Sequence, residues 1–87
     1  MAVYVDKMEA SFGNMIMCHM LADTIEELHE MADEIGVDRA YYQSHSIPHY
    51  DISKSKRKIA MMLGAIEVDM NKVAEIIKMW QRRKKDG

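Results

Sequence analysis

Apolar positions along the chain follow two rhythms, short unbroken runs and a period of three to four residues. The opening AVYVD (residues 2–6) is β-branched and aromatic, the composition of a buried strand. KMEASFGN interrupts it, and MIMCHM (15–20) is a second apolar run of strand length. In ADTIEELHEMADEIG the period changes. Ile25, Leu28, Met31, Ala32 and Ile35 recur at helical steps, which leaves Glu26, Glu27, Glu30 and Glu34 outward. Asp23 or Thr24 can cap this helix, Glu26 or Glu27 can close a capping box, and Gly36 is placed to end it.

AYYQ (40–43) predicts a third strand, short and aromatic, before the polar loop SHSIP, whose Pro48 forbids a central ladder position. Ser53 then starts a second helix, with Ile59, Ala60 and Leu63 as its inner face and Gly64 as its stop; AIEV (65–68) is the fourth strand. Asp69 caps a last helix with Val73, Ile76, Ile77 and Trp80 along one side. The RRKK at 82–85 suits the negative end of that helix dipole and reads as a solvated tail. This alternation predicts an α/β domain, a small, mostly parallel four-stranded sheet with about three helices packed on it. Residues 1–87 form a single domain, 2–68 as its core and 69–87 as a C-terminal helix and basic tail. Eight residues between the first two strands are few for a parallel crossover, so that pair is expected to be antiparallel or not adjacent.

Composition narrows the class. A chain of 87 residues, 48% hydrophobic and 30% charged, suits one small domain that buries about 60% of its unfolded surface. No apolar run is long enough to span a membrane and no leader precedes the first motif, so the expected location is the cytoplasm. The single Cys18 can form no internal disulfide and lacks the paired spacing of a structural zinc site. Ten Met residues suit an adaptable core or a subunit interface. Residues 1–45 carry nine acids against Lys7 and Arg39, a net −7, whereas residues 46–87 carry ten bases against five acids, a net +5. That split favours self-association as a homo-oligomer and argues against nucleic-acid coating, which needs a dominant basic face.

Candidate chemistry collects at the ends of the predicted strands and at the second helix start. Asp6, His19 and Gln43 stand at strand ends, and HYDISKSKRKIA (49–60) places Lys54, Lys56, Arg57 and Lys58 at a helix end that is already electropositive. Backbone N–H donors, the Ser53 and Ser55 hydroxyls and these cations are the chemical means of holding phosphate or carboxylate. Ser53 can equally be a simple N-cap, the lysines a solvated face, and Asp51 a cap or a partner of Arg57. No Gly-rich nucleotide loop accompanies them. His19 and His49, with Asp6, Asp23 or Asp51, could form a mixed metal site or an oriented general base, although no HExxH, CxxC or HxH spacing is present. His29 is expected to bond locally, His45 is assigned no role, and Tyr41, Tyr42 and Tyr50 either stack on a base or fill the core.

Taken together, VYVD, CHMLADTIEELHEMADEIGV, YYQ and HYDISKSKRKIAMMLGAIEV resemble the uncharacterised phage and bacterial family known as domain of unknown function 4031, over about residues 2–68. The resemblance implies that Asp6, His19, Asp23, Glu27, His29, Gln43, His49, Tyr50, Asp51 and Arg57 are the family's motif polar groups. It departs at Lys7, where relatives often carry a second acid, and at Cys18 and Tyr41, where they often carry Ser and Trp. Lys7 therefore weakens a two-acid metal site at Asp6.

The combined expectation is a small phage-type binding protein rather than an enzyme, without a cofactor. It would capture an anionic small molecule, a nucleotide or a nucleotide-derived signal, in keeping with sequestration of a host immune signal. Ser53, Lys54, Ser55 and Arg57 would hold the phosphate, and Asp6, His19, Gln43, His49 and Tyr50 would read the rest. Two rivals stand beside it, a metal-dependent phosphoesterase or nuclease built on Asp6, His19, His49 and Asp51, and a protein-interaction module without a pocket.

Overall fold

A computed structural model describes residues 2–7, 10–12 and 15–86, with the side chains of 10–12, 15 and 84–86 set aside. The strands are β1 (Val3–Asp6), β2 (Ala10–Phe12), β3 (Met15–Ala22), β4 (Tyr42–Gln43), β5 (His49–Ser53) and β6 (Ile66–Val68). The helices are α1 (Ile25–Ile35), α2 (Lys54–Met62) and α3 (Met70–Asp86), with one short 3-10 turn at Arg39–Tyr41.

The sheet corrects the expectation of four mostly parallel strands. Its order is β4-β5-β3-β1-β6, with β2 paired to the start of β3, and among the described strands only β1 and β6 run parallel. The physical reason lies in β3, which stands between β1 and β5 and runs antiparallel to both. The short link from β1 permits no crossover, and part of it, Ala10–Phe12, folds back on β3 as an additional strand. The other unforeseen strand is β5. HYDIS alternates half-buried His49, Asp51 and Ser53 with buried Tyr50 and Ile52, the period of a strand with two unlike faces.

Both faces of the sheet are covered. On one, Val5, Cys18, Met20, Tyr50 and Ile52 pack against Leu28, Met31, Ala32 and Ile35 of α1 and Ala60 of α2. Each such side chain of Leu, Ile, Val or Met size contributes about 1.5–3 kcal/mol when fully buried. On the other, Tyr4, Leu21 and Val68 pack against Ile76 of α3, with Val73, Ile77 and Trp80 alongside, as their spacing predicts. Trp80 Nε1 donates to the Ala22 carbonyl at 2.9 Å, and Arg83 donates to the Asp23 carbonyl while its guanidinium lies 4.8 Å from the Trp80 ring. Arg82 and Arg83 are exposed, as a solvated tail would be, with Arg83 also laid against the Trp80 ring; the side chains of Lys84 and Lys85 lie outside the described residues.

Local signals at the helix ends act largely as read. Thr24 Oγ1 accepts from the Glu27 N–H, the N-cap bond, and donates to the Glu27 carboxylate, so Glu27 meets the cap through its hydroxyl rather than through the backbone N–H that a capping box uses. Gly36 ends α1 at a φ of 78°, a left-handed conformation that costs a residue with a Cβ about 1–2 kcal/mol. Ser53 Oγ accepts from the Lys56 N–H at 3.3 Å, and Asp69 Oδ1 from the Lys72 N–H at 3.0 Å. No described helix is long and apolar enough to cross a membrane.

Candidate functional site

Strand register assembles the polar groups. His19 of β3 is paired with Asp51 of β5, and Val5 with Met20, which brings Asp6 to the other side of His19. Alternation along the strands turns Asp6, His19, His49 and Asp51 away from α1 and α2, toward the part of the α3 face that the apolar side chains of α3 leave open.

Asp6 is 1% exposed and is the one buried charged side chain among the described residues. Its Oδ1 accepts the His19 backbone N–H at 2.9 Å, and its Oδ2 lies 2.7 Å from His19 Nδ1, so both oxygens are committed to one histidine. His19 Nε2 stands 3.5 Å from Asp51 Oδ1, and His49 Nε2 stands 3.8 Å from the same oxygen. Asp51 Oδ2 accepts from Gln43 Nε2 at 2.8 Å, and His49 Nδ1 lies 2.8 Å from the Ile47 carbonyl. The hydrogen bond to Asp6 raises the His19 pKa above the ordinary imidazole value. Burial works against it, and the charges of Asp6 and Asp51 add to it. Buried carboxylate and half-exposed imidazole are the parts of an oriented acid or base.

A second site lies where the ends of β1 and β6 meet the start of α2. A cavity of about 310 Å³ is lined by Lys7, Cys18, Lys54, Arg57 and Glu67. Among the described lining residues, three cations and one carboxylate give a formal charge of +2. Arg57 Nε donates to the Asp6 carbonyl at 2.8 Å, and its guanidinium pairs with Glu67, to which Lys7 Nζ also approaches at 3.5 Å. The Arg57 hydrogen bond holds the Glu67 carboxyl below its ordinary pKa, against burial and with help from Lys7. The Ser53 and Ser55 hydroxyls lie 3.0 Å apart, beside the capping bond.

The residues expected in one pocket are therefore divided. Asp6, His19, Gln43, His49 and Asp51 come together on the sheet, while Lys54 and Arg57 line the cavity and Ser53 and Ser55 stand at the helix start. Tyr50 stands apart from both groups, fully buried on the opposite face, its hydroxyl 2.7 Å from His29 Nδ1. His29 thus bonds across the fold rather than locally, because α1 packs directly on β5's apolar face. Arg57 pairs with Glu67 and not with Asp51. Asp23 is occupied near the start of β1, accepting from the Tyr4 hydroxyl and the Ala2 N–H, away from the histidines.

Sequence reasoning missed Glu67 and Lys7 as members of the cationic cavity. The available signal was an acid inside the apolar strand AIEV. It also left out His45, whose ring lies 5.5 Å from that of His49. As the side chains stand, no group of three or more His, Cys, Asp or Glu among the described residues could hold a metal ion. Asp6, with both oxygens turned to His19, orients a ring rather than offering a ligand.

No curated protein and no solved structure matches the sequence. A family match covers residues 3–80 and so runs through much of α3, beyond the stretch 2–68 that carries the motifs. The protein belongs to the family described as Protein of unknown function (DUF4031).

Proposed function

We propose that this protein binds an anionic small molecule, a nucleotide or a nucleotide-derived signal, with its phosphate in the cavity beside α2. One observation carries this reading, the concave site of about 310 Å³ that gathers Lys7, Lys54 and Arg57 beside Glu67. The positive end of α2's dipole adds to the same field. The volume lies at the small end of ligand sites, which run to roughly 300–1,000 Å³, and suits a mononucleotide better than a polymer. Capture without turnover is consistent with sequestering such a signal in the cytoplasm. Self-association is supported by the exposed apolar residues Met62, Leu63, Ile66 and Met70 around edge strand β6.

Calorimetry with inorganic phosphate and with mono-, di-, tri- and cyclic nucleotides tests the reading. At least one phosphate compound should bind, more weakly as salt rises, and Lys54→Glu should abolish binding while leaving the folded spectrum intact. No heat from any of them at tens of micromolar protein would remove the proposal. A second reading, phosphoester hydrolysis, is favoured by the Asp6–His19 pair alone; turnover lost in His19→Gln would support it.

A further inference from the structure

A second cavity lies at the other end of the sheet from the cationic one, and the two share no described lining residue. Its Trp80 bonds to Ala22, which pairs with Val3 at the start of β1, whereas Lys7 of the cationic cavity follows the end of that strand. It holds about 340 Å³ between the first turn of α1, the loop that joins β4 to β5 and the last turns of α3. Tyr42, Pro48 and Trp80 give it an aromatic and apolar wall, and Ser44, Ser46 and Arg83 supply polar groups. A concave site of roughly 300 Å³ or more, mostly apolar with a few convergent polar groups, is the usual form of a small-molecule site.

Several features of this wall have no use in the fold itself. Ile25, which completes the apolar lining, is 39% exposed at the first position of α1. Among the described residues the Ser44 and Ser46 hydroxyls have no hydrogen-bond partner. Ser46 also holds a φ of 64°, a left-handed conformation that glycine takes without a Cβ penalty. The chain therefore carries a hydroxyl where the backbone alone favours glycine. Arg83 is the one charged side chain among the described lining residues. Its guanidinium is held by the Asp23 carbonyl and by the Trp80 ring, at 4.8 Å, and the carbonyl takes one of its five N–H donors.

We propose that this cavity binds a small organic acid with an aromatic body. Its carboxylate lies between Arg83 and the two serine hydroxyls, and its ring lies against Trp80, Tyr42 and Ile25. An anchored guanidinium with donors left over matches a planar carboxylate, and its single charge matches a monoanion. Arg83 is exposed, so an ion pair to it is screened and weak by itself. Apolar contact with the ring supplies the affinity and Arg83 the orientation, so a ligand needs both ends.

Trp80 is the single tryptophan of the chain, and its fluorescence reports directly on this cavity. The full chain is titrated at constant ionic strength with phenylacetate, with phenylacetamide, which keeps the ring without the charge, and with acetate, which keeps the charge without the ring. Phenylacetate should give a saturable change, and the other two should bind at least tenfold more weakly. Ser46→Gly should stay folded, because glycine accepts this φ, and should weaken phenylacetate at least threefold. Arg83→Gln should weaken phenylacetate at least tenfold and leave phenylacetamide unchanged, a split that lost packing alone would not produce. No saturable response up to about 20 mM, where a ligand of about ten non-hydrogen atoms should already register, would overturn the proposal. Equal affinity for phenylacetamide, or unchanged phenylacetate affinity in the folded variants, would do the same. Phosphate titrations read the other cavity, so failure here leaves the anion reading separately testable.

Discussion

Replacing Asp6 is the most informative single perturbation, because one buried carboxylate holds both the backbone and the ring of His19. A domain of 87 residues at about 0.05–0.15 kcal/mol per residue has roughly 4–13 kcal/mol of stability in total. Asp6→Ala leaves the His19 N–H without an acceptor and breaks a pair that is buried on one side. Loss of a partner from a fully buried pair costs about 3–5 kcal/mol, and the half-exposed ring, which water can reach, puts this case near 3. Asp6→Asn keeps an acceptor for the backbone N–H and turns an amide toward Nδ1, which the other ring tautomer can accept. Its cost should be nearer 1 kcal/mol, that of one hydrogen bond.

Urea unfolding in chelator, from pH 5.5 to 8.5, measures both costs. The His19 pKa is raised in the folded state, so its contribution is fully present below the unfolded value of about 6.5 and is lost as pH rises through the folded one. The gap between wild type and Asp6→Asn should therefore narrow with increasing pH. A gap that stays constant or widens, or an Asp6→Ala cost below about 1 kcal/mol, would refute the reasoning.

Two further outcomes separate the candidate sites. Tyr50→Phe removes only the hydroxyl bonded to His29, so it should cost about 1 kcal/mol and lower Tm by roughly 4–8 °C while leaving phosphate affinity unchanged, since Tyr50 does not line the cavity. Glu67→Gln raises the formal charge of the cavity by one. It should tighten anion binding in calorimetry and lower stability near neutral pH, with the gap from wild type closing in acid, because the lowered Glu67 pKa contributes above the ordinary carboxyl value and is lost as pH falls through the folded one.

Helices were legible because their signals are local. The period of Ile25 to Ile35, the Thr24 cap, the Gly36 stop and the apolar side of α3 each depend on residues within a few positions. Sheet order was not, because nothing within MIMCHM or HYDIS states which strand lies on either side. The eight-residue link did exclude a parallel crossover, and that inference held at the β1–β3 pairing. HYDIS was hidden by its own composition. A strand with polar groups on alternate positions and Pro48 just before it reads as a loop until Tyr50 and Ile52 are seen to be buried.

The same alternation decides how the candidate site divides. Consecutive residues His49, Tyr50, Asp51 and Ile52 go to opposite faces, so sequence proximity overstated their cooperation and separated Tyr50 from the histidines. The excess of cations at the start of α2 is partly answered from 10 residues away by Glu67, an interaction with no local trace. Arg57 then ties that ion pair to the Asp6 carbonyl, while the Asp6 carboxylate holds His19 on the far side of the strand. Asp6 is thus the mechanical link between the cationic cavity and the histidine group. A ligand that pulls Arg57 from Glu67 acts on the strand that orients His19, and coupling between the two sites requires that the Arg57 bond to Asp6 survive binding.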